Sequence, residues 1–203
     1  MATLSDSAIA TLLQPYLIDR IPIPQILYAQ LSLYLDLLVK WNARTNLTAI
    51  REPEEIVRRH FGESLFAAQY LDPAATMLLD FGSGAGFPGL PIALLRPEIH
   101  VTLAESQNKK ATFLREVARN LKLTTEIWAA RVETMPASRI FHTVTLRAVD
   151  NMDAALAAAA PRASHDLLLL TNAHAALPVE FSPHPAMPIP TTKNSVLLRA
   201  TRL

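Results

Sequence analysis

The stretch Met77 to Pro91, MLLDFGSGAGFPGLP, constrains the fold of this chain more than any other. It opens on a short apolar run, the pattern of a strand buried on both faces of a parallel sheet. Gly82, Ser83, Gly84, Ala85 and Gly86 follow at once, and Pro88 with the apolar stretch Leu90 to Leu95 opens a helix. Strand, glycine turn and helix in this order let backbone come close to a nucleotide-like ligand. A Cβ in the turn would block that approach or forbid the backbone angles it needs. A dinucleotide fingerprint requires a glycine where Phe87 stands. The form present, G-x-G-x-G with Asp80 two residues ahead, suits S-adenosylmethionine (SAM), which carries an adenosine but no phosphates to cradle.

The β–α alternation continues beyond the turn. Strands are expected at His100 to Ala104, Glu126 to Ala130, Phe141 to Leu146 and Asp166 to Leu170, with helices at Lys109 to Leu121 and Met152 to Ala160. Such alternation implies a mostly parallel sheet with helices on both faces. Ligands then sit outside the carboxyl ends of the strands, where Gly82, Glu105, Glu133 and Arg147 fall. The tail Pro178 to Pro190 reads as loop or sheet edge, and Ser195 to Ala200 as a last strand.

Ahead of this region, Ser5 to Leu17 and Pro24 to Trp41 show apolar residues at helical spacing. In the second, Ile26, Leu27, Leu31, Tyr34, Leu35, Leu38 and Trp41 form a stripe that must face a core. Pro53, Glu54 and Glu55 start a further helix, with carboxylates where the dipole favours them. It displays Arg58, Arg59, His60 and Glu63, either as a solvated face with ion pairs or as a phosphate-binding patch. The organisation expected is an N-terminal helical extension over residues 1–72, packed on a SAM-binding domain over residues 73–203.

Composition narrows the chemistry. The chain has 203 residues, half of them apolar, enough for one α/β domain with a modest extension. It has no cysteine, which excludes thiolate metal sites and covalent thiol catalysis. The net charge of +1 is unevenly spread, so a nucleic-acid partner would be held by local patches. MATLSDSAIA carries no basic segment followed by an apolar core, and no apolar run approaches membrane-spanning length; the cytoplasm is the expected compartment.

Six motifs in order resemble the RsmG (GidB) family of bacterial 16S rRNA guanine-N7 methyltransferases. They are KWNARTNLTAI (Lys40 to Ile50), RRHFGESL (Arg58 to Leu65), LDFGSGAGFPGLPIALLRPE (Leu79 to Glu98), ESQNKKATFLREV (Glu105 to Val117), ARVE (Ala130 to Glu133) and LRAV (Leu146 to Val149). The resemblance implies a Rossmann-like SAM-dependent methyltransferase fold and SAM as cofactor. Its partner would be 16S rRNA, in the 30S subunit or an assembly intermediate, for a protein expected to be a monomer with no membrane contact. It implies Gly82, Gly84, Gly86 and Phe87 beside SAM, Glu105 on the ribose hydroxyls, Val132 and Glu133 beside the adenine, and Arg147 at the methionine end and substrate opening. Arg58, Arg59, His60, Lys109, Lys110 and Arg115 are the expected RNA contacts, and no metal is expected. Guanine N7 carries a lone pair and no proton, so no general base is needed and no catalytic dyad is expected; Asp80, Glu63 and His60 are assigned structural or substrate-contacting roles.

The chain departs from the family's pattern at Thr171-Asn172, where relatives usually carry Lys-Gly, and at Glu63, where Asp is more frequent. Two alternatives stand beside the leading reading: a small-molecule methyltransferase, and a non-catalytic module that binds SAM and RNA.

Overall fold

The computed structural model describes residues 2–149, 151–171 and 175–203. Helix α1 (Asp6–Leu13) is capped by Ser5, whose hydroxyl accepts from the Ala8 amide at 3.2 Å. Helix α2 (Leu27–Asn42) buries Leu27, Leu31, Tyr34, Leu35 and Leu38. Ile26 does not share that face: it lies in the turn before the helix begins and is 61% exposed. Asn42 shapes the exit, its Oδ1 accepting from the Leu47 and Thr48 amides while its Nδ2 donates to the Thr48 carbonyl.

Helix α3 (residues 53–68) is helical from Pro53–Ile56 and Glu63–Ala68, with a wider π turn at Val57–Gly62 between them. Gly62 is required in that turn because a Cβ there would lie 2.6 Å from the Tyr16 ring.

Among the described residues eight strands form one sheet. They are β1 (Met77–Phe81), β2 (His100–Ala104), β3 (Glu126–Trp128), β4 (Phe141–Arg147), β5 (Ala163–Thr171), β6 (Phe181–Pro183), β7 (Met187–Pro188) and β8 (Val196–Arg202). The order is β3-β2-β1-β4-β5-β8-β6, with β7 also paired to β8. β1 to β5 are parallel and β8 runs antiparallel to β5. The proline-rich tail thus supplies two short edge strands, positions where a missing N–H is tolerated. β3 is shorter than its sequence suggests and ends at Trp128.

Helices α4 (Gly89–Leu95), α5 (Asn108–Asn120) and α6 (Met152–Ala159) complete the layers. Alternate strand residues feed two cores. Leu78, Leu103, Leu168 and Leu170 pack with α1 to α5, so the N-terminal helices share a core with one face of the sheet. Leu79, Val144, Leu146, Leu167 and Leu169 pack with Leu156 and Ala159 of α6 on the other face. The neighbours of β1 are β2 on one side and β4 on the other, so the chain reverses direction across the sheet between β1 and β4. That reversal opens a crevice at the carboxyl ends of these two strands.

Candidate cofactor and substrate site

The glycine loop leaves β1 into this crevice. Gly82, Gly84 and Gly86 all have positive φ, of 67°, 57° and 94°. Their surroundings divide them. A Cβ on Gly82 would meet only Val149 Cγ1 at 3.8 Å, and one on Gly84 only the Gly82 carbonyl at 3.8 Å. These two keep a cradle clear. A Cβ on Gly86 would lie 2.4 Å from Leu90 and 2.6 Å from the Tyr34 hydroxyl. At Gly86 the absence of a side chain is required by packing.

The loop is held from beneath. Asp80 is fully buried and accepts from the Gly89 amide at 3.0 Å and the Thr145 hydroxyl at 2.9 Å. Burial pushes its carboxyl up to about 6, against the pull of those same hydrogen bonds. The Tyr34 hydroxyl donates to the Ala85 carbonyl. Phe87 is 7% exposed, its ring stacked with Tyr34 and His60 at centroid distances of 5.4 and 4.7 Å. The Phe87 side chain is thus core under the loop and does not present its ring to the crevice.

Glu105, one residue beyond β2, is buried and faces the loop. Its Oε2 accepts from the Gly84 amide at 3.0 Å and its Oε1 from the Gln107 amide at 2.7 Å. Each oxygen keeps a further lone pair for a hydroxyl donor. Phe81, Gly82, Ala104, Ser106, Ala130, Arg131, Val132 and Glu133 line a small cavity of about 110 Å³ on this side of the loop. Val132 opens a one-turn helix, Val132–Thr134, where the first amides lack intrahelical partners, and Glu133 is exposed at the rim.

On the other side of Gly82 lies a cavity of about 300 Å³, lined among others by Arg59, Glu63, Arg147, Val149, Met152 and Thr171. Its wall is an ionic cluster. The buried Glu63 carboxylate receives Arg59 at 2.8 Å and Arg147 at 3.0 Å. Arg147 also donates to the Arg59 carbonyl at 2.8 Å and to His60 Nδ1 at 2.9 Å. Because a guanidinium cannot accept, Nδ1 must, and the proton sits on Nε2, 2.7 Å from the Thr48 hydroxyl. Burial first, then the charges of Arg147 and Arg59, lower His60 to about 3. His60 is accordingly a neutral link between β4 and the π turn, with both ring nitrogens engaged inside the protein. Ala148, at the exit of β4, adopts φ 49°, a left-handed conformation in the cavity wall.

The remaining basic candidates lie outward. Arg58 pairs with Glu54 at 3.1 Å, the solvated-face alternative. Lys109 and Arg115 are exposed and Lys110 is half-buried on α5, whose first turn follows Glu105 directly. Of the departure at Thr171-Asn172, Thr171 ends β5 in the larger cavity, while Asn172 lies outside the described residues.

TrmN from Thermus thermophilus superposes with a TM-score of 0.59 at 19% identity, covering 72% of this chain and 53% of that one. M. jannaschii TYW2, solved in complex with AdoMet, gives 0.55 at 12% identity over 71% of this chain and 76% of that one. The architecture is the Rossmann-like methyltransferase fold. Residues 27–176 match the family GidB, rRNA small subunit methyltransferase G, and the chain belongs to that family. A curated relative in Xanthomonas euvesicatoria pv. vesicatoria, "Ribosomal RNA small subunit methyltransferase G", is 43% identical over 125 residues. That match covers 61% of this chain and 58% of the relative, so the likeness extends over little more than half the relative's length.

Proposed function

We propose that this protein is a SAM-dependent methyltransferase that modifies N7 of a guanine in small-subunit rRNA, acting on 16S rRNA or an assembling 30S subunit in the cytoplasm. The observation that carries the reading is the cradle at Gly82 and Gly84, open on the side that Glu105 and the Val132 turn border, with a separate cavity walled by Arg59, Glu63 and Arg147 on its other side. The cradle suits an adenosine lying along the open face of the loop, with Glu105 accepting from ribose hydroxyls and the adenine edge entering the small cavity beside the Val132 turn. The separate cavity suits the base to be modified.

SAM, when bound, supplies an electrophilic methyl on a sulfonium. Guanine N7 already presents a lone pair, so the protein's task is in-line placement of N7, methyl and sulfur. Positive charge moves from sulfur to the base in the step, leaving net charge in the site unchanged. Two guanidinium groups in the cavity wall would oppose a cationic base. Glu63, wedged between them, tempers that field and fixes both side chains. Of the expected RNA contacts, Arg58, Arg59, Lys109, Lys110 and Arg115 remain in the proposal as phosphate partners.

The test uses purified protein, methyl-labelled SAM, and 16S rRNA or 30S subunits from cells lacking the modification, followed by digestion to nucleosides and mass spectrometry. Label in 7-methylguanosine at one site is the expected result. SAM binding without transfer to these RNAs would overturn the rRNA reading.

A further inference from the structure

At the opposite end of the sheet from the glycine crevice, three chain segments bring metal-ligating side chains together. Asp72 lies in the loop ahead of β1, His142 is the second residue of β4, and His165 is the third of β5. One ligand atom from each lies within 4.8 Å of the other two, and all three residues are half-buried. The two imidazoles are stacked, with centroids 4.7 Å apart and an interplanar angle of 22°. The His165 Nδ1 atom is buried without a hydrogen-bond partner.

We propose that Asp72, His142 and His165 form a divalent transition-metal site. Two imidazoles and one carboxylate are a donor set for Zn²⁺ or Co²⁺ rather than Mg²⁺ or Ca²⁺, which take oxygen ligands. Metal–ligand distances of about 2.0–2.2 Å require donor atoms roughly 3.3 Å apart in a tetrahedral site. The present spacing of up to 4.8 Å would have to close by side-chain rotation on binding, and partial exposure leaves a position for water.

The surroundings support the arrangement. The Thr143 hydroxyl lies 3.0 Å from His142 Nδ1 and steadies that ring, while the Asp166 carboxylate, 3.3 Å from His165 Nδ1, adds negative charge beside the second ring without a hydrogen bond to it. Arg199 is the competing cation, 3.2 Å from Asp72, but its guanidinium is also held by Asp166 at 2.9 Å. Asp72 can turn toward a metal while Arg199 keeps a counter-charge. Binding would clip the loop before β1 to the amino ends of β4 and β5, remote from the crevice and independent of methyl transfer.

The experiment is calorimetric titration of chelator-stripped full-length protein with ZnCl2, paired with thermal melts and with the visible ligand-field spectrum after CoCl2 addition. One saturable equivalent is expected, with a melting-temperature rise of about 5 °C at Zn²⁺ a hundredfold above its dissociation constant. A four-coordinate Co²⁺ spectrum is also expected. His142→Ala and His165→Ala should each abolish the saturable phase, whereas His100→Ala, at the exposed start of β2, should retain it. Absence of saturable binding by the unaltered protein overturns the proposal, as does binding that survives both histidine substitutions or is lost equally in His100→Ala.

Discussion

Replacing His60 with asparagine should make the protein less stable at neutral pH yet less sensitive to acid. The native ring is half-buried, neutral and lowered to about 3, whereas an unfolded histidine titrates near its ordinary value of 6.5. Between those values the unfolded chain binds a proton that the folded chain refuses, so stability is lost as pH falls. From pH 7.5 to 5 the loss from this one group is about 2 kcal/mol. Asp80 works against it. Its folded carboxyl titrates near 6 and its unfolded one near 3.8, so over the same interval it returns roughly 1 kcal/mol. The wild-type profile alone therefore conceals both. In His60→Asn the Oδ1 atom can still accept from Arg147, while the stack on Phe87 and the Thr48 hydrogen bond are lost. Those losses cost about 2 kcal/mol together. Urea unfolding at pH 7.5 should show that gap, and at pH 5 the two proteins should be nearly equal. A gap that stays constant or widens on acidification would refute the account of His60 as a buried neutral link.

Asp80→Asn should remove the opposite slope: the unaltered protein gains roughly 3 kcal/mol from this group between pH 7 and 3.8, full below 3.8 and gone as pH rises past 6, and the variant gains none of it in pH-stepped urea melts. Gly86→Ala should destabilise by about 3 kcal/mol or more, since the added carbon meets Leu90 and Tyr34 at a positive φ; unchanged stability would contradict the packing. Gly84→Ala meets open space and should cost only about 1–2 kcal/mol of strain, but should weaken SAM binding tenfold or more by filling the cradle, as read by calorimetry. Glu105→Gln should likewise lower SAM affinity about tenfold, because an amide presents one acceptor oxygen where the carboxylate presents two, and it also loosens Gly84.

Local order was readable from the sequence. The strand, glycine turn and helix at Met77 to Leu95 follow from apolar runs and backbone freedom over a few consecutive residues, and they appear where those signals fall. The parallel direction of β1, β2 and β4 followed from the alternation, whereas their order across the sheet did not. What the sequence concealed depends on distant pairing. Nothing near Glu63 signals that Arg147, 84 positions later, meets it, so His60 and Arg59 looked like an exposed basic run when half of that run is tied into the fold. Arg59 and Glu63 at i,i+4 was the one local hint of this cluster. Phe87 and the space beside Gly86 belong to the packed core under the loop, whereas Gly82 and Gly84 border open space, a difference that only distant partners such as Tyr34 and Leu90 create. Asp72, His142 and His165 come from three separated segments and leave no motif.

The ring of Phe87 between Tyr34 and His60, the Asp80 contact to Gly89 and the Glu105 contact to Gly84 fix the loop before any ligand arrives. A rigid seat gives SAM binding a particular thermodynamic form. The glycine loop itself does not have to condense around the cofactor, so its part of the heat-capacity change on binding should reflect only the surface the two partners cover, without the large negative excess of coupled folding. Encounter should run as a single kinetic phase, with affinity differences among loop variants expressed in how long the cofactor stays.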